Sequence, residues 1–419
     1  MDHGSTHGIS HLGLSRRRFL KGSALIGCSL AAHPLMSGIT LAAAPGDKRL
    51  VVIILRGAMD GLDVVRPVGD PDFAALRPGF AAAAGGDGLA LNGFFTLHPA
   101  LAGLKPWWDA GELSFVHAVS TPYRDKRSHF DGQDLLEAGT GFDLPLVDVR
   151  DGWLNRMVQA VPGMVAESAF ALGRDEMKVL RGPAPFTQWS PTSKLVLTPQ
   201  SRLLLERVYH EDPLFRDAAV AAMDLAEKLA DPAEMEAAAA MEAGMKADLA
   251  DAGPGVRIDP VAAFAASRLN EDTRIAAFSI AGWDTHRDQE GYLRRALTAL
   301  QNTLLTLKDG LGANWSQTAV LAMTEFGRTA RQNGSNGTDH GTGGLMVLAG
   351  GAVKGGQVLG EWPGLAEAEL YAGRDLMPTS DVRSHAAWVM RGLFGLEPGV
   401  LERAVFPGLD MGRNPGLLL

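Results

Sequence analysis

Cysteine is nearly absent: the 419 residues contain one, Cys28. It lies in an N-terminal stretch that the sequence marks for removal. A chain cut beyond it has no disulfide and no cysteine-ligated metal, and the lack of a C-x-x-C pair leaves thiol redox chemistry without support. Aromatic residues are scarce at 7%, while glycine numbers 50 and alanine is abundant. That balance suits a tightly packed α/β body. No G-x-x-x-x-G-K-[ST], H-E-x-x-H or G-x-S-x-G pattern occurs, which removes the P-loop, zincin and α/β-hydrolase readings. Positive charge is in deficit, with a formal net charge of −9, so the chain is a poor general binder of nucleic acid or anionic lipid. No internal repeat is visible.

What is present begins with residues 15–21, Ser-Arg-Arg-Arg-Phe-Leu-Lys, and a mildly apolar stretch over 22–44. This order is that of a twin-arginine export signal, an address read by the twin-arginine translocase rather than a piece of the fold. Serines, glycines, His33 and Pro34 interrupt the apolar stretch, which makes it a poor permanent membrane span. A cut after Ala42 or Ala43 serves as well as one after Ala44, which Pro45 follows. A lipobox-like Leu25-Ile26-Gly27-Cys28, which would acylate Cys28, ranks lower because its apolar run is short. Residues 1–44 are therefore set apart as signal. Residues 45–419 are expected to form a single α/β domain located in the periplasm or outside the cell. Removing the signal takes away four basic side chains, one acid and four of the eleven histidines, which shifts the net charge to −12.

Apolar runs in the remaining chain read as buried strands of a parallel sheet, and the polar residues lie where they stop. Residues 50–55 (LVVIIL) end in Arg56-Gly57-Ala58-Met59-Asp60-Gly61-Leu62-Asp63. Glycines there let carboxylates approach a cation closely, although an ordinary Asp-Gly turn reads the same way. Residues 113–119 lead into a basic loop whose Arg124 and Arg127 suit phosphate or sulfate oxygens, and then to Ser128. This serine is placed as a helix N-cap with Asp131 three residues on, or as a nucleophile presented where the helix dipole receives an anion. Residues 273–280 (TRIAAFSI) lead to Asp284-Thr285-His286, a carboxylate and an imidazole that suit zinc or a similar divalent ion. Residues 319–323 stop at Thr324, Glu325 and Arg328, and a Gly/Asn-rich loop then brings Asp339-His340. Ligand sites of open α/β sheets lie at such strand ends, so the set points to a mono- or dinuclear metal centre.

Elsewhere, helices are expected over 98–110, from Gly152, over 289–311, and through Phe394, with His385 of the last as a packing or surface residue. Further strands are expected near Phe170, near Leu195 and over 345–349, with a turn and edge hairpin over 351–362. The Ala, Glu, Leu, Met and Lys-rich segment from 201 reads as a helical insertion extending to about 270.

The phrases RGAMDGLDVVRP, RSHFDGQDLLEAG, GWLNRM, GWDTHRDQ, TEFGRT…NGTDHGTGG and RDLMPTSDVRS resemble the exported DUF1501 family over nearly all of the chain beyond the signal. The resemblance implies an alkaline phosphatase/sulfatase-like fold, a central mostly parallel sheet sandwiched by helices. It also implies a divalent metal, zinc foremost, and a small anionic ester substrate. Laid on this sequence, the superfamily pattern implies Asp60, Asp284, His286, Glu325 and His340 as metal ligands and Ser128 as nucleophile. Phe326 stands where that pattern has a histidine; phenylalanine cannot ligate, so one of two metal positions would lose an imidazole. The expectation is a metal-dependent hydrolase of phosphate or sulfate esters in which Ser128 or an activated water attacks and Arg127 or Arg328 stabilises charge on the equatorial oxygens. The alternative is a non-catalytic envelope protein that retains the fold and any metal.

Overall fold

Residues 50–55 carry no polar side chain, so both faces of the extended segment need apolar cover. The strand they form, β1 (Arg49–Arg56), lies near the middle of a nine-stranded sheet. The computed structural model describes residues 46–83, 88–141, 151–164, 169–172, 177–184, 186–189 and 259–419. All belong to one of the two units into which the chain divides, 42–193 with 241–419. The expected export signal, Leu195 and the part of the expected insertion before 259 lie outside the described residues.

The other strands are β2 (Val65–Arg66), β3 (Leu89–Ala90), β4 (Thr96–Leu97), β5 (Leu113–Ser120), β6 (Ala169–Leu172), β7 (Thr187–Trp189), β8 (Ile275–Ala281), β9 (Thr318–Met323), β10 (Gly344–Ala349), β11 (Gln357–Leu359) and β12 (Ser380–Asp381). The main sheet runs β11-β5-β10-β9-β1-β8-β6-β7, with β12 also on β5, while β2, β4 and β3 form a small antiparallel sheet. Pairings in the main sheet are parallel except for the two that β10 makes with β5 and β9. Residues 351–362 do not form the expected edge hairpin: β11 lies parallel to β5 at the sheet edge.

The longer helices are α1 (His129–Ala138), α2 (Trp153–Ala160), α3 (Pro260–Leu269), α4 (Gln289–Leu311) and α5 (Val382–Phe394). Side-chain alternation along β1 assigns them to two layers. Leu50, Val52 and Ile54 pack with Trp153 and Met157 of α2 and Val389 and Met390 of α5. Val51, Ile53 and Leu55 pack with Ala262 and Leu269 of α3 and Leu293, Leu297 and Leu300 of α4. In α4 the buried leucines at 293, 297, 300, 304, 307 and 311 follow the helical period. Full burial contributes roughly 1.5–3 kcal/mol per aliphatic side chain, so both faces of the sheet are covered. Among the described residues no helix is long and apolar enough to cross a membrane.

Three histidines are enclosed in this framework, His98, His117 and His385. Burial pushes each down to about 4. The unfolded imidazole titrates near 6.5, so between those values the unfolded chain binds more protons than the native one. Stability is therefore full above pH ~6.5 and is lost as pH falls towards 4. In chelator, to exclude metal loss, the unfolding free energy from urea titrations should drop between pH 7 and pH 5, by about 1–2 kcal/mol per histidine, and the midpoint with it. A flat midpoint over that interval would contradict this account.

Candidate metal centre

The one antiparallel strand of the sheet's middle builds the site. Because β10 runs against β9, the chain leaves β9 at Thr324 and re-enters at Gly344 on the same edge of the sheet. Residues just after β9 and just before β10 are thereby gathered beside the carboxyl ends of β1, β5 and β8, where open α/β sheets place their ligands. Gly57, past β1, has φ +122°, and a Cβ there would stand 2.6 Å from the Asp284 backbone nitrogen. Only glycine lets these two strand ends close on each other.

Ligand atoms of His129, Asp284 and His340 lie within 4.8 Å of one another at this edge. His129 is the first residue of α1. Its Nδ1 is 2.7 Å from Glu325 Oε1. Its Nε2 is 3.6 Å from Asp284 Oδ2 and is enclosed without a hydrogen-bond partner. His340 Nδ1 donates to the Arg127 carbonyl at 2.8 Å, which leaves its Nε2 to the cluster, 3.4 Å from Asp284 Oδ1. His286 adjoins the three, with Nε2 at 2.9 Å from His340 Nε2 and at 3.2 Å from Asp284 Oδ1. Its Nδ1 meets Asp339 Oδ1 at 3.2 Å. Zinc–nitrogen bonds of about 2.0–2.1 Å put two tetrahedrally bound nitrogens about 3.4 Å apart, close to these spacings. An unpartnered buried nitrogen, imidazoles facing each other, and a carboxylate or carbonyl behind each ring are the features of a cation site with its outer partners in place.

The charges are strongly coupled. The Asp284 carboxylate facing Nε2 across 3.6 Å, and Glu325 hydrogen-bonded to Nδ1, raise His129 to about 9, so without a cation the imidazolium proton stands where a divalent ion would. Burial works to raise Glu325, but His129 and Gln133 outweigh it and hold the carboxyl below its usual range. The same balance holds at Asp284, where burial is overcome by His129, His340 and the Arg328 guanidinium, and its carboxyl lies far below the usual range. Glu325 is fully buried and also accepts from Gly57 N–H at 2.9 Å and Gln133 Nε2 at 3.0 Å.

Residues 123–399 match the family model described as "Protein of unknown function (DUF1501)". The chain belongs to the DUF1501 family. Among solved structures it is similar to a protein in the alkaline phosphatase superfamily from Vibrio parahaemolyticus, at 11% identity over 93% of this chain and 79% of that one, with a TM-score of 0.32. It is also similar to the C-terminal periplasmic domain of EcEptC from Escherichia coli, solved in complex with Zn, at 8% identity over 91% and 96% of the two chains, with a TM-score of 0.33. No curated protein matches.

The site expected of this DUF1501 member is rearranged in its details. Asp284 and His340 stand in the cluster and His286 beside it. Glu325 lies one layer back, on His129. Asp60 is not brought to the cluster. Its Oδ2 accepts from Arg77 Nη1 and Gln289 Nε2, both at 2.6 Å, and Gln289 also reaches Asp63 Oδ2 at 2.9 Å. Asp60 Oδ1 is enclosed without a partner, yet Asp60 is not in the clustered set. The reason is local: Arg77, fully buried, needs a carboxylate, and Asp60 supplies it.

Arg328 does not face a substrate position. It is buried, with Nε on the Ala58 carbonyl (2.9 Å), Nη1 on the Thr338 carbonyl (3.2 Å), and Nη2 on the Gly57 and Trp283 carbonyls (3.2 and 3.1 Å) and Asp284 Oδ1 (2.6 Å). It braces the loops after β1 and β8. Ser128 Oγ accepts from Asp131 N–H at 3.4 Å and caps α1, and Ser128 N–H donates to the Tyr123 hydroxyl at 2.8 Å. Arg127 is 38% exposed, with its nearest charged partner Asp375 at 3.7 Å. The sequence does not mark His129 as a ligand. The only signal was its place beside Ser128 at the end of the second long apolar run.

Proposed function

We propose that this DUF1501 protein is an exported, metal-dependent hydrolase of phosphate or sulfate esters, acting in the periplasm or outside the cell. The observation that carries the reading is the convergence of His129, Asp284 and His340, with the buried His129 Nε2 free of any hydrogen bond. Two imidazoles and a carboxylate suit zinc. A divalent ion held there would supply Lewis-acid stabilisation of negative charge and activate a nearby hydroxyl group.

The chain's own residues define the rest. Glu325 fixes the His129 ring from behind, and the Arg127 carbonyl fixes His340. Arg328 holds Asp284 in place. Ser128, next to His129 at the N-terminus of α1, offers the attacking hydroxyl, where the helix dipole favours the anionic group of an ester. Water is the other nucleophile available. The Arg127 guanidinium, part-exposed, steadies charge on the equatorial oxygens.

Ser128→Asn keeps a side-chain helix cap and removes the hydroxyl. If Ser128 attacks, this variant loses turnover on aryl phosphates and sulfates by at least ~100-fold while its zinc content stays that of the parent. Full activity in Ser128→Asn removes Ser128 from the mechanism and leaves water. A second reading, a non-catalytic metal-binding envelope protein, is favoured by Phe326. Its ring stacks on His129 and sits beside His340, both at 5.2 Å between centroids, and so occupies one flank of the cluster with a side chain that cannot ligate. Bound zinc with no turnover of any phosphate or sulfate ester, with or without chelator, would select that reading.

A further inference from the structure

Gln289, the first residue of α4, is fully buried, and its amide is used to capacity. Nε2 donates to Asp60 Oδ2 at 2.6 Å and to Asp63 Oδ2 at 2.9 Å. Oε1 accepts from the Thr285 hydroxyl at 2.9 Å and from the Thr338 hydroxyl at 2.7 Å. A primary amide has two N–H groups and two lone pairs, so all four are paired. Its direction is forced as well. Asp60 and Asp63 are each paired with an arginine, Arg77 and Arg66, and carboxylates so paired only accept. The amide nitrogen must face them, which leaves the oxygen to the threonines.

Those partners come from three separate connections. Asp60 and Asp63 follow β1, Thr285 follows β8 and Thr338 precedes β10. Thr285 stands between Asp284 and His286, and Thr338 two residues before His340. Both threonines are fully buried. Thr338 N–H donates to the Thr285 carbonyl at 3.1 Å, and Gln289 N–H to the Asn336 carbonyl at 2.9 Å. Asp288, immediately before, has φ +45°, a left-handed conformation that costs an L side chain free energy and persists where the surroundings fix it. α4 is anchored along its length by buried leucines, so the amide is mounted on a rigid element.

We infer that Gln289 is a positioning residue for the metal centre: its amide oxygen clips the loop that carries Asp284 to the loop that carries His340, and so sets the separation of these two ligands before any ion arrives. With its amide filled by other partners, Gln289 acts on the ligands only through Thr285 and Thr338. The inference rests on the proposed metal centre for its consequence, while the clip itself is read without metal. Two measurements on the full-length protein test it. Competition with a chromophoric chelator gives zinc affinity, and hydrogen exchange at the Thr338 amide, in chelated protein, reports the contact between the two loops.

Thr285→Val combined with Thr338→Val strips Oε1 of both donors and leaves Asp60 and Asp63 their amide. This double variant should lose at least ~10-fold in zinc affinity, the scale of an outer partner, and exchange at Thr338 should quicken by a similar factor. Each single valine should cost less than half of that on a logarithmic scale, because the remaining hydroxyl still holds the amide; the singles also carry the test where the double variant is too unstable to purify. Serine at either position keeps the hydroxyl and should bind zinc as the parent does, an outcome that loss of packing alone would not give. Gln289→Met should match the double valine, and adding both valines to it should cost little more, since the three residues act through one contact. Parent-like zinc affinity in the double valine, or a full further loss when the valines are added to Gln289→Met, overturns the inference. A parent that binds no zinc, with Thr338 exchange still hastened by the valines, keeps the clip and rejects the metal centre; zinc bound by the parent and indifferent to the valines does the reverse.

Discussion

Alanine at His340 is expected to lower the affinity for zinc by on the order of 100-fold. Four-ligand zinc sites bind with ~10–16 kcal/mol, about 3 kcal/mol for each ligand, and 1.4 kcal/mol is a factor of ten. His340 offers Nε2 to the cluster with its Nδ1 already spent on the Arg127 carbonyl, so no other atom of the residue can substitute. Two comparisons give the experiment its discrimination. Glu325→Gln keeps the shape and loses the charge behind His129, and should cost about 10–100-fold, the usual penalty for an outer partner. Asp60→Asn should leave zinc affinity near the parent value, because Asp60 is committed to Arg77 and Gln289, while lowering stability through the buried Arg77. Competition with a chromophoric chelator measures all three. Unchanged affinity in His340→Ala, or a loss in Asp60→Asn as large as that of His340→Ala, would put the ion somewhere other than this cluster.

Arg328→Met should destabilise the fold by about 3–5 kcal/mol, the cost of breaking a buried charged network. The guanidinium is fully buried against four backbone carbonyls and one carboxylate. Methionine fills much of its volume and satisfies none of those acceptors, and each enclosed carbonyl left bare carries its own desolvation penalty of about 1–3 kcal/mol. Arg328→Lys keeps the charge and reaches fewer acceptors, so its loss should be intermediate. The zinc-free protein should show the effect as a lower urea midpoint with an unchanged slope. Zinc affinity should fall as well, since Asp284 loses the group that aims it. A parent-like midpoint for Arg328→Met would mean that the carbonyls find other donors and that the brace is dispensable.

The framework was largely legible in the chain. β1, β5, β8 and β9 announced themselves as continuous apolar runs, because a strand buried on both faces needs no polar alternation. α4 could be read to its ends, residues 289–311, from leucines repeating at the helical period. The positions of Asp284, His286 and His340 at one sheet edge followed from the rule that such runs stop in functional residues. What an apolar run does not carry is direction: 345–349 looks the same parallel or antiparallel, and only the pairing with β5 and β9 shows that β10 runs the other way.

The roles of individual side chains were set by long-range encounters of this kind. His129 and Glu325 meet across 196 positions, and nothing near His129 distinguishes a ligand from the first residue of a capped helix. From its strand end Asp60 reads as a ligand, but Arg77, between the short helices Phe73–Leu76 and Pro78–Ala83, reaches it only once the chain has folded. Arg328 is enclosed by partners its own stretch does not reveal: Gly57 and Trp283 come from two other strand ends, and Thr338 from the far side of the same β9–β10 connection. Patterning along the chain determined which elements form and which edge of the sheet would be polar, because burial and periodicity are properties of neighbouring residues. Which oxygen or nitrogen meets which partner was decided by tertiary structure alone, since one carboxylate can serve a metal or an arginine and the choice depends on what the fold brings to it first.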